Sequence, residues 1–278
     1  MNIKTTDLKT LGARTAPLVI GLYDRNQRVF DVATAASLMG VSRASARSVL
    51  HDASRRGLVT RIQRGIYNLV PFELGNVDVH FENRYALAAG IVGSRPYFLS
   101  HASALDLHQL ATQPHSSVYV STPNRLEQRH IAGNPLQFIT VRRNHMYGVV
   151  DFDLGEGRRV HVSDIERTLI DGLTMPRYCG GMIEVAKAFA TAARRMDLAK
   201  LLAYAGATQR KVVLRRLGFL LEHLQLAPES ALEAIRLALP NGTVAFDPDL
   251  AVKGTPCDPR WGLRLNVTAA EIHAAVSH

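Results

Sequence analysis

Residues 31–70 read DVATAASLMGVSRASARSVLHDASRRGLVTRIQRGIYNLV. Asp31 is a good N-cap for a first helix, on which Ala33, Ala36 and Leu38 offer a short apolar face; Gly40 stops it. Ser42 caps a second helix running to about Arg56, where Gly57 ends it. Ala46, Val49, Leu50 and Ala53 fall at i, i+3, i+4 and i+7 of that helix, one buried stripe. Turning by about 100° per residue, the opposite face carries Ala44, Arg47, Ser48, His51 and Arg55, with Arg43 on its flank. Residues 58–60 and 66–69 then read as strands, joined by a turn over 61–65. Helix, helix and basic two-stranded wing is the order of a winged helix-turn-helix. Small residues at the start of the second helix let it enter a groove closely, and its Arg and Ser side chains can donate to bases or phosphates. Ser42, Arg43, Ala44, Arg47, Ser48, His51 and Arg55 are therefore candidate DNA-binding residues, joined by Arg61, Gln63 and Arg64 on the wing. The plainer alternative is an ordinary surface helix followed by a hairpin.

The charge distribution points the same way. Of a net +9, residues 1–75 hold +6, with eleven Lys or Arg against five acids. An excess of cations beside the helix pair favours an anionic partner. Before the helix pair, residues 15–25 (TAPLVIGLYDR) suit a helix capped at Thr15 with Pro17 in its first turn, and 29–30 a short strand. The 278 residues, 47% hydrophobic, suffice for two domains with a sizeable core. Cys179 and Cys257 are far apart and outside any metal-type spacing, as expected of reduced thiols. No apolar run is long enough to span a membrane, and MNIKTTDLKT lacks a signal peptide's apolar core, so a cytoplasmic protein is expected.

Residues 71–77 (PFELGNV) break the pattern with Pro and Gly, which puts a domain boundary there: 1–75 for DNA binding, 76–278 for a larger mixed α/β domain. The expected class is α+β. The second domain opens with a helix over 83–92, a strand over 97–99 and a helix capped by Ser100. Short β-branched or aromatic runs at 117–121, 136–141, 147–154 and 158–162 make a small sheet, mixed or antiparallel, with a turn at 155–157. The C-terminal half is helical. Ser163 with Glu166 reads as a capping box over IERTLIDGL. Later helices start near Gly181, Asp197, Thr208, Pro228 and Thr268, with strands at 243–246 and 261–266.

No motif for catalysis stands out in the sequence. Neither GxxxxGK[ST] nor a strand-linked GxGxxG occurs, and there is no GxSxG. Asp151 and Asp153 alternate on a strand, but the nearest upstream Gly-Ser, Gly93-Ser94, lies too far away for a nucleotidyltransferase pair. His101 and His108 share a helix face without a third ligand at metal spacing. Arg167 and Asp171 are at i, i+4 and read as an exposed structural pair. Neither cofactor nor metal is expected. Arg210, Lys211, Arg215 and Arg216 make the helix from Thr208 basic, a surface for phosphate, for an acidic partner, or only for water.

Four stretches together resemble the AbiEi antitoxin family: RGIYNLVP at the wing, YFLSHASALDLHQL, VSDIERTLIDGLTMPRYCGGMIEVAKAF, and WGLRLNV near the end. The serine-capped ERTLIDGL followed by Pro and Gly-Gly is the most specific. Gln109 departs from the pattern, standing where the family's AL-x-LHGL has Gly. The resemblance implies transcription-regulating antitoxins of AbiE-type toxin–antitoxin pairs. It implies an N-terminal domain on operator DNA ahead of its own operon, two molecules meeting the arms of an inverted repeat, and repression as the outcome. It implies a second domain that counters a nucleotidyltransferase-like toxin, and no enzymatic activity. The rival from the residues is a winged-helix regulator whose large domain senses a small molecule, which requires an apolar pocket with a few convergent polar groups.

Overall fold

The computed structural model describes residues 11–71, 83–113, 115–131, 134–155 and 158–277; the side chains of Gln63, Arg129, Ile131 and Asn134 are not described. Beyond Pro71, the boundary expected over 71–77 lies outside the described residues, as do Glu156 and Gly157 of the 155–157 turn. In chain order the elements are α1 (Ala16–Asp24), β1 (Val29–Asp31), α2 (Val32–Met39), α3 (Arg43–Arg55), β2 (Val59–Gln63), β3 (Ile66–Leu69), α4 (Arg84–Val92), β4 (Phe98–Leu99) and α5 (His101–Leu107). There follow β5 (Val118–Thr122), β6 (Arg129–Ile131), β7 (Asn134–Thr140), β8 (Val149–Asp153), β9 (Arg159–Ser163) and α6 (Ile165–Thr174). The last part holds α7 (Met182–Ala192), α8 (Leu198–Ala207), α9 (Lys211–His223), α10 (Glu229–Leu237), β10 (Val244–Ala245), β11 (Cys257–Asp258), β12 (Leu263–Arg264) and α11 (Ala269–Val276). This is a mixed α+β chain. It divides into two compact units, Met1–Pro96 with Glu127–Leu136 and Asp151–Val160, and Tyr97–Leu126 with Gln137–Val150 and His161–His278.

The first unit is built around the helix pair. Asp31 Oδ1 accepts the Thr34 amide at 2.7 Å and starts α2; Gly40, at φ +64°, ends it in the left-handed region that glycine enters without a Cβ penalty. Because the cap sits at Asp31, the inward phase falls on Val32, Ala35 and Ala36, while Ala33 and Leu38 of the expected face stay half-buried. Ser42 Oγ accepts the Ser45 amide at 3.2 Å and starts α3, whose buried side is Ala46, Leu50 and Ala53. These residues share a core with Leu18 and Leu22 of α1, Phe30, Leu58, Val59, Tyr67 and Leu69. Thr15 stands before α1, but its hydroxyl bonds back to the Gly12 carbonyl and caps nothing. Three antiparallel strands in the order β1-β3-β2 close the core. Pairing in the β2–β3 hairpin continues to Gln63 opposite Ile66, so the turn is only Arg64-Gly65, with Gly65 at φ +82°. α4 packs on β1 through bare backbone, since a Cβ on Gly90 would lie 2.4 Å from Val29 Cβ.

The largest sheet is mixed, in the order β6-β7-β5-β4-β9-β8. Within the second unit β4 runs antiparallel to β5 and parallel to β9, Leu99 standing opposite Val162. Strand β6 was missed by the sequence reading because RHI is too short and too polar to show a pattern. The helical core gathers Leu169, Ile170, Leu173, Val185, Phe189, Leu217, Leu220, Trp261 and their neighbours. Gly218 makes room for the indole, since a Cβ there would lie 2.1 Å from Trp261 Cζ3. Two expected caps are reassigned. Ser100 precedes α5, but its hydroxyl meets Ser121 Oγ at 2.8 Å instead of the helix amides. α6 is capped by Asp164, whose Oδ1 accepts the Arg167 amide at 2.8 Å, while Ser163 ends β9 with its hydroxyl against Thr168. Glu166 is thereby free to accept the Asp197 amide and to pair with Lys200 at 3.0 Å.

Candidate nucleic-acid interface

With Ala46, Leu50 and Ala53 turned inward, the helical period leaves Arg43, Ala44, Arg47, Ser48, His51 and Arg55 exposed. Among the described residues, the side chains of Arg47, Arg55 and Arg64 make no hydrogen bond or ion pair. Such guanidiniums keep all their donors for an outside acceptor. Ser42 is exposed but committed to the cap, so its share in any interface is to fix the first turn of α3. His51 Nδ1 stands 3.7 Å from the Asp52 carboxylate. Behind the helix pair, burial pushes the Asp31 carboxyl up, but the Thr34 amide and hydroxyl and the Ala33 amide outweigh it, and its pKa is lowered overall. The cap is thus anionic and tightly held at neutral pH.

Of the two arginines of the β2–β3 hairpin, Arg64 alone stands at the tip. Arg61 lies within β2, opposite Tyr67, because the hairpin is tighter than the five-residue turn expected. It is exposed along the strand. The Gln63 side chain lies outside what is described.

The basic helix of the second unit differs from expectation. Arg215 and Arg216 are 5% and 3% exposed and offer no surface. Arg215 Nη1 donates to the Trp261 carbonyl at 2.8 Å and Nη2 to that of Pro240. Arg216 Nη1 donates to the Leu173 carbonyl at 2.6 Å, in the last turn of α6. Guanidiniums are tolerated inside because backbone carbonyls take up their terminal Nη donors, though among the described residues Arg216 Nε is buried without a partner. Burial lowers the Arg216 pKa to about 10 against the pull of Asp247 and Asp249, which still leaves it charged at neutral pH. Lys211 is exposed and reaches the Ala238 carbonyl at 2.9 Å; Arg210 is exposed at the rim of a cavity.

That cavity, of about 360 Å³, lies wholly within the second unit; the rival small-molecule reading required a pocket in this part of the chain, but an apolar one, and the sequence reading did not assemble this charged lining. It is lined by Arg142, His145, Arg167, Asp171, Arg210 and His101 among others. The Arg167–Asp171 pair, expected on the surface, is buried there at 2.8 Å. Its spacing was visible in the sequence; its burial was not, because β4 and the 142–148 loop cover it from distant parts of the chain. His101 is buried with φ +51°, its Nδ1 3.0 Å from Ser100 Oγ, and His108 Nε2 meets the Ser163 carbonyl at 2.6 Å. The two histidines are thus occupied separately. Asp151 and Asp153 are exposed on β8, and Asp153 accepts the Gly155 amide at 2.8 Å. Among the described residues there is no group of three or more metal-type ligands, and no helix is long and apolar enough to cross a membrane.

Residues 22–70 match the model of a family described as "Transcriptional regulator, AbiEi antitoxin". The matched segment takes in α2, α3 and the hairpin. No curated protein matches the chain. Among solved structures, the chain is similar to the crystal structure of the RV2827C protein from Mycobacterium tuberculosis, with a TM-score of 0.72 at 13% identity over 98% of this chain and 97% of that one. At that identity the likeness is one of fold.

Proposed function

We propose that this protein is a sequence-specific DNA-binding regulator that represses its own operon and acts as antitoxin against a nucleotidyltransferase-like toxin encoded beside it. Residues 1–75 are the DNA-binding part in this reading, a winged helix-turn-helix with α3 as recognition helix and the β2–β3 hairpin as wing. Residues 76–278 carry the antitoxin role. The observation that bears most weight is the outer face of α3, where Arg47, Ser48, His51 and Arg55 stand exposed over a buried side of Ala46, Leu50 and Ala53. A helix so divided can lie in a major groove without disturbing its own core. The family match over the same residues supports the regulatory role. Two copies on the arms of an inverted repeat would double the contacts and the area buried on DNA.

Footprinting of the full chain on the DNA upstream of its own gene tests the regulatory half. The expected result is protection of two half-sites about one helical turn, or a multiple of it, apart. Uniform, sequence-independent protection would contradict it. Co-expression of the full chain with the neighbouring gene product tests the antitoxin half. Growth should be restored by the wild type and also by Arg47→Ala, which leaves the second unit untouched. Loss of rescue with Arg47→Ala would mean that toxin control runs through DNA binding alone.

A further inference from the structure

We propose that the cavity beside α6 is a binding site for a small phosphomonoester that also carries a hydroxyl or amino donor. Three guanidiniums, Arg142, Arg167 and Arg210, face it against one carboxylate, Asp171. The excess of two positive charges matches a phosphate monoester, which carries about −1.5 to −2 at neutral pH. Arg142 and Arg210 are exposed at the rim, and among the described residues neither side chain has a hydrogen-bond or ion-pair partner. Free guanidiniums at the mouth of a cavity are suited to forked contacts with phosphate oxygens.

The interior is built rather than incidental. Arg167 Nε donates to Asp171 Oδ1 at 2.8 Å and Nη1 to the His145 carbonyl at 2.9 Å. Its guanidinium lies over the rings of Tyr147, at 4.4 Å, and Phe98, at 5.3 Å. Arg167 therefore ties the loop that carries Arg142 and His145 to α6. Gly148 permits this approach, since a Cβ there would lie 2.9 Å from Arg167 Cβ. Burial, then Arg167, Arg142 and Arg210, push the His145 imidazole toward its neutral form, as expected where three cations converge.

One buried polar atom is left over. Asp171 is 8% exposed, Oδ1 is taken by Arg167, and Oδ2 has no hydrogen-bond partner. A buried carboxylate oxygen without a donor is costly. A ligand hydroxyl or amino group would satisfy it, while the phosphate occupies the arginine rim. The volume lies in the range of small-molecule sites and suits a ligand of mononucleotide size.

The test is calorimetric titration of the full chain with inorganic phosphate, ribose 5-phosphate, AMP and, as the phosphate-free arm, adenosine. The three phosphate-bearing probes should bind and adenosine should not. The double variant Arg142→Gln/Arg210→Gln changes only exposed side chains, so it should fold and lose affinity at least about tenfold, the size of lost charge-assisted hydrogen bonds. Asp171→Asn should weaken ribose 5-phosphate and AMP more than inorganic phosphate. Absence of binding by every phosphate-bearing probe, or equal affinity in the double variant, would overturn the proposal. So would a double variant that loses affinity for duplex DNA while no small probe binds, which would return both arginines to nucleic acid.

Discussion

Ser42 Oγ accepts the backbone amide of Ser45 at 3.2 Å, and the two hydroxyls stand 3.0 Å apart. This closes the first turn of α3 and sets the direction in which Arg43, Ala44 and Arg47 project. Ser42→Ala should lower unfolding free energy by about 1 kcal/mol, and Ser42→Gly by only a few tenths. Urea denaturation of the full chain, followed by the transition that includes the first unit, measures both. Equal losses for the two variants would show that the cap does not hold the helix.

The hairpin separates its two arginines. Arg64 is at the turn and Arg61 is within the strand. Arg64→Ala should weaken DNA binding and reduce the slope of log affinity against log salt by about 0.9, the share of one phosphate contact. Arg61→Ala should change the slope less. A slope unaltered by Arg64→Ala would remove the hairpin tip from the proposed interface.

Gly218 and Arg216 govern the second unit's stability. Gly218→Ala drives a methyl into the Trp261 ring and should cost about 1–3 kcal/mol, as overpacking does. Arg216→Met leaves the Leu173 carbonyl without its donor and should cost about 1–3 kcal/mol. Thermal unfolding reads both. A neutral Arg216→Met would mean that the buried guanidinium does nothing for the fold.

Acid should destabilise the protein in two stages. Burial lowers the His101 pKa despite Asp171, and lowers that of His108 despite the Ser163 carbonyl. A base with a depressed folded pKa binds more protons unfolded, so stability is full above the ordinary value of 6.5 and declines as pH falls below it. Burial pushes the Glu166 carboxyl up, but the Asp197 amide and Lys200 more than offset this. Its contribution is present above 4.5 and is lost as pH falls through the lowered folded value. His101→Asn, which tolerates positive φ, combined with His108→Gln should flatten the first stage in a series of melts at graded pH. His145, whose pKa is also lowered, should leave a smaller residual decline; a decline undiminished in the double variant would place the first stage elsewhere.

The helix pair was legible because its signals are local. Asp31 and Ser42 cap, Gly40 turns, and the period of Ala46, Leu50 and Ala53 assigns the outer face. The hairpin was legible in kind but not in length, since Arg64-Gly65 suffices for the turn only when cross-strand pairing reaches Gln63. What escaped the sequence depends on distant contacts. Arg215 and Arg216 look like any exposed cations until Trp261, Pro240 and Leu173 bring carbonyls to them. Arg167 and Asp171 look like a surface pair until Phe98 and Tyr147 close over the guanidinium. Period and charge describe one helix at a time, and these four residues are decided by what lies against the helix.

In the proposed function the outer face of α3 reads base sequence. Fluorescence anisotropy titration of the wild type and Arg47→Ala, on upstream duplex and on a scrambled duplex of equal length at one salt concentration, tests it most directly. Arg47→Ala should lower affinity for the upstream duplex by about 1–3 kcal/mol and leave the scrambled duplex nearly unaffected, so that the preference shrinks. An equal loss on both duplexes, or none on either, would mean that this face does not read bases.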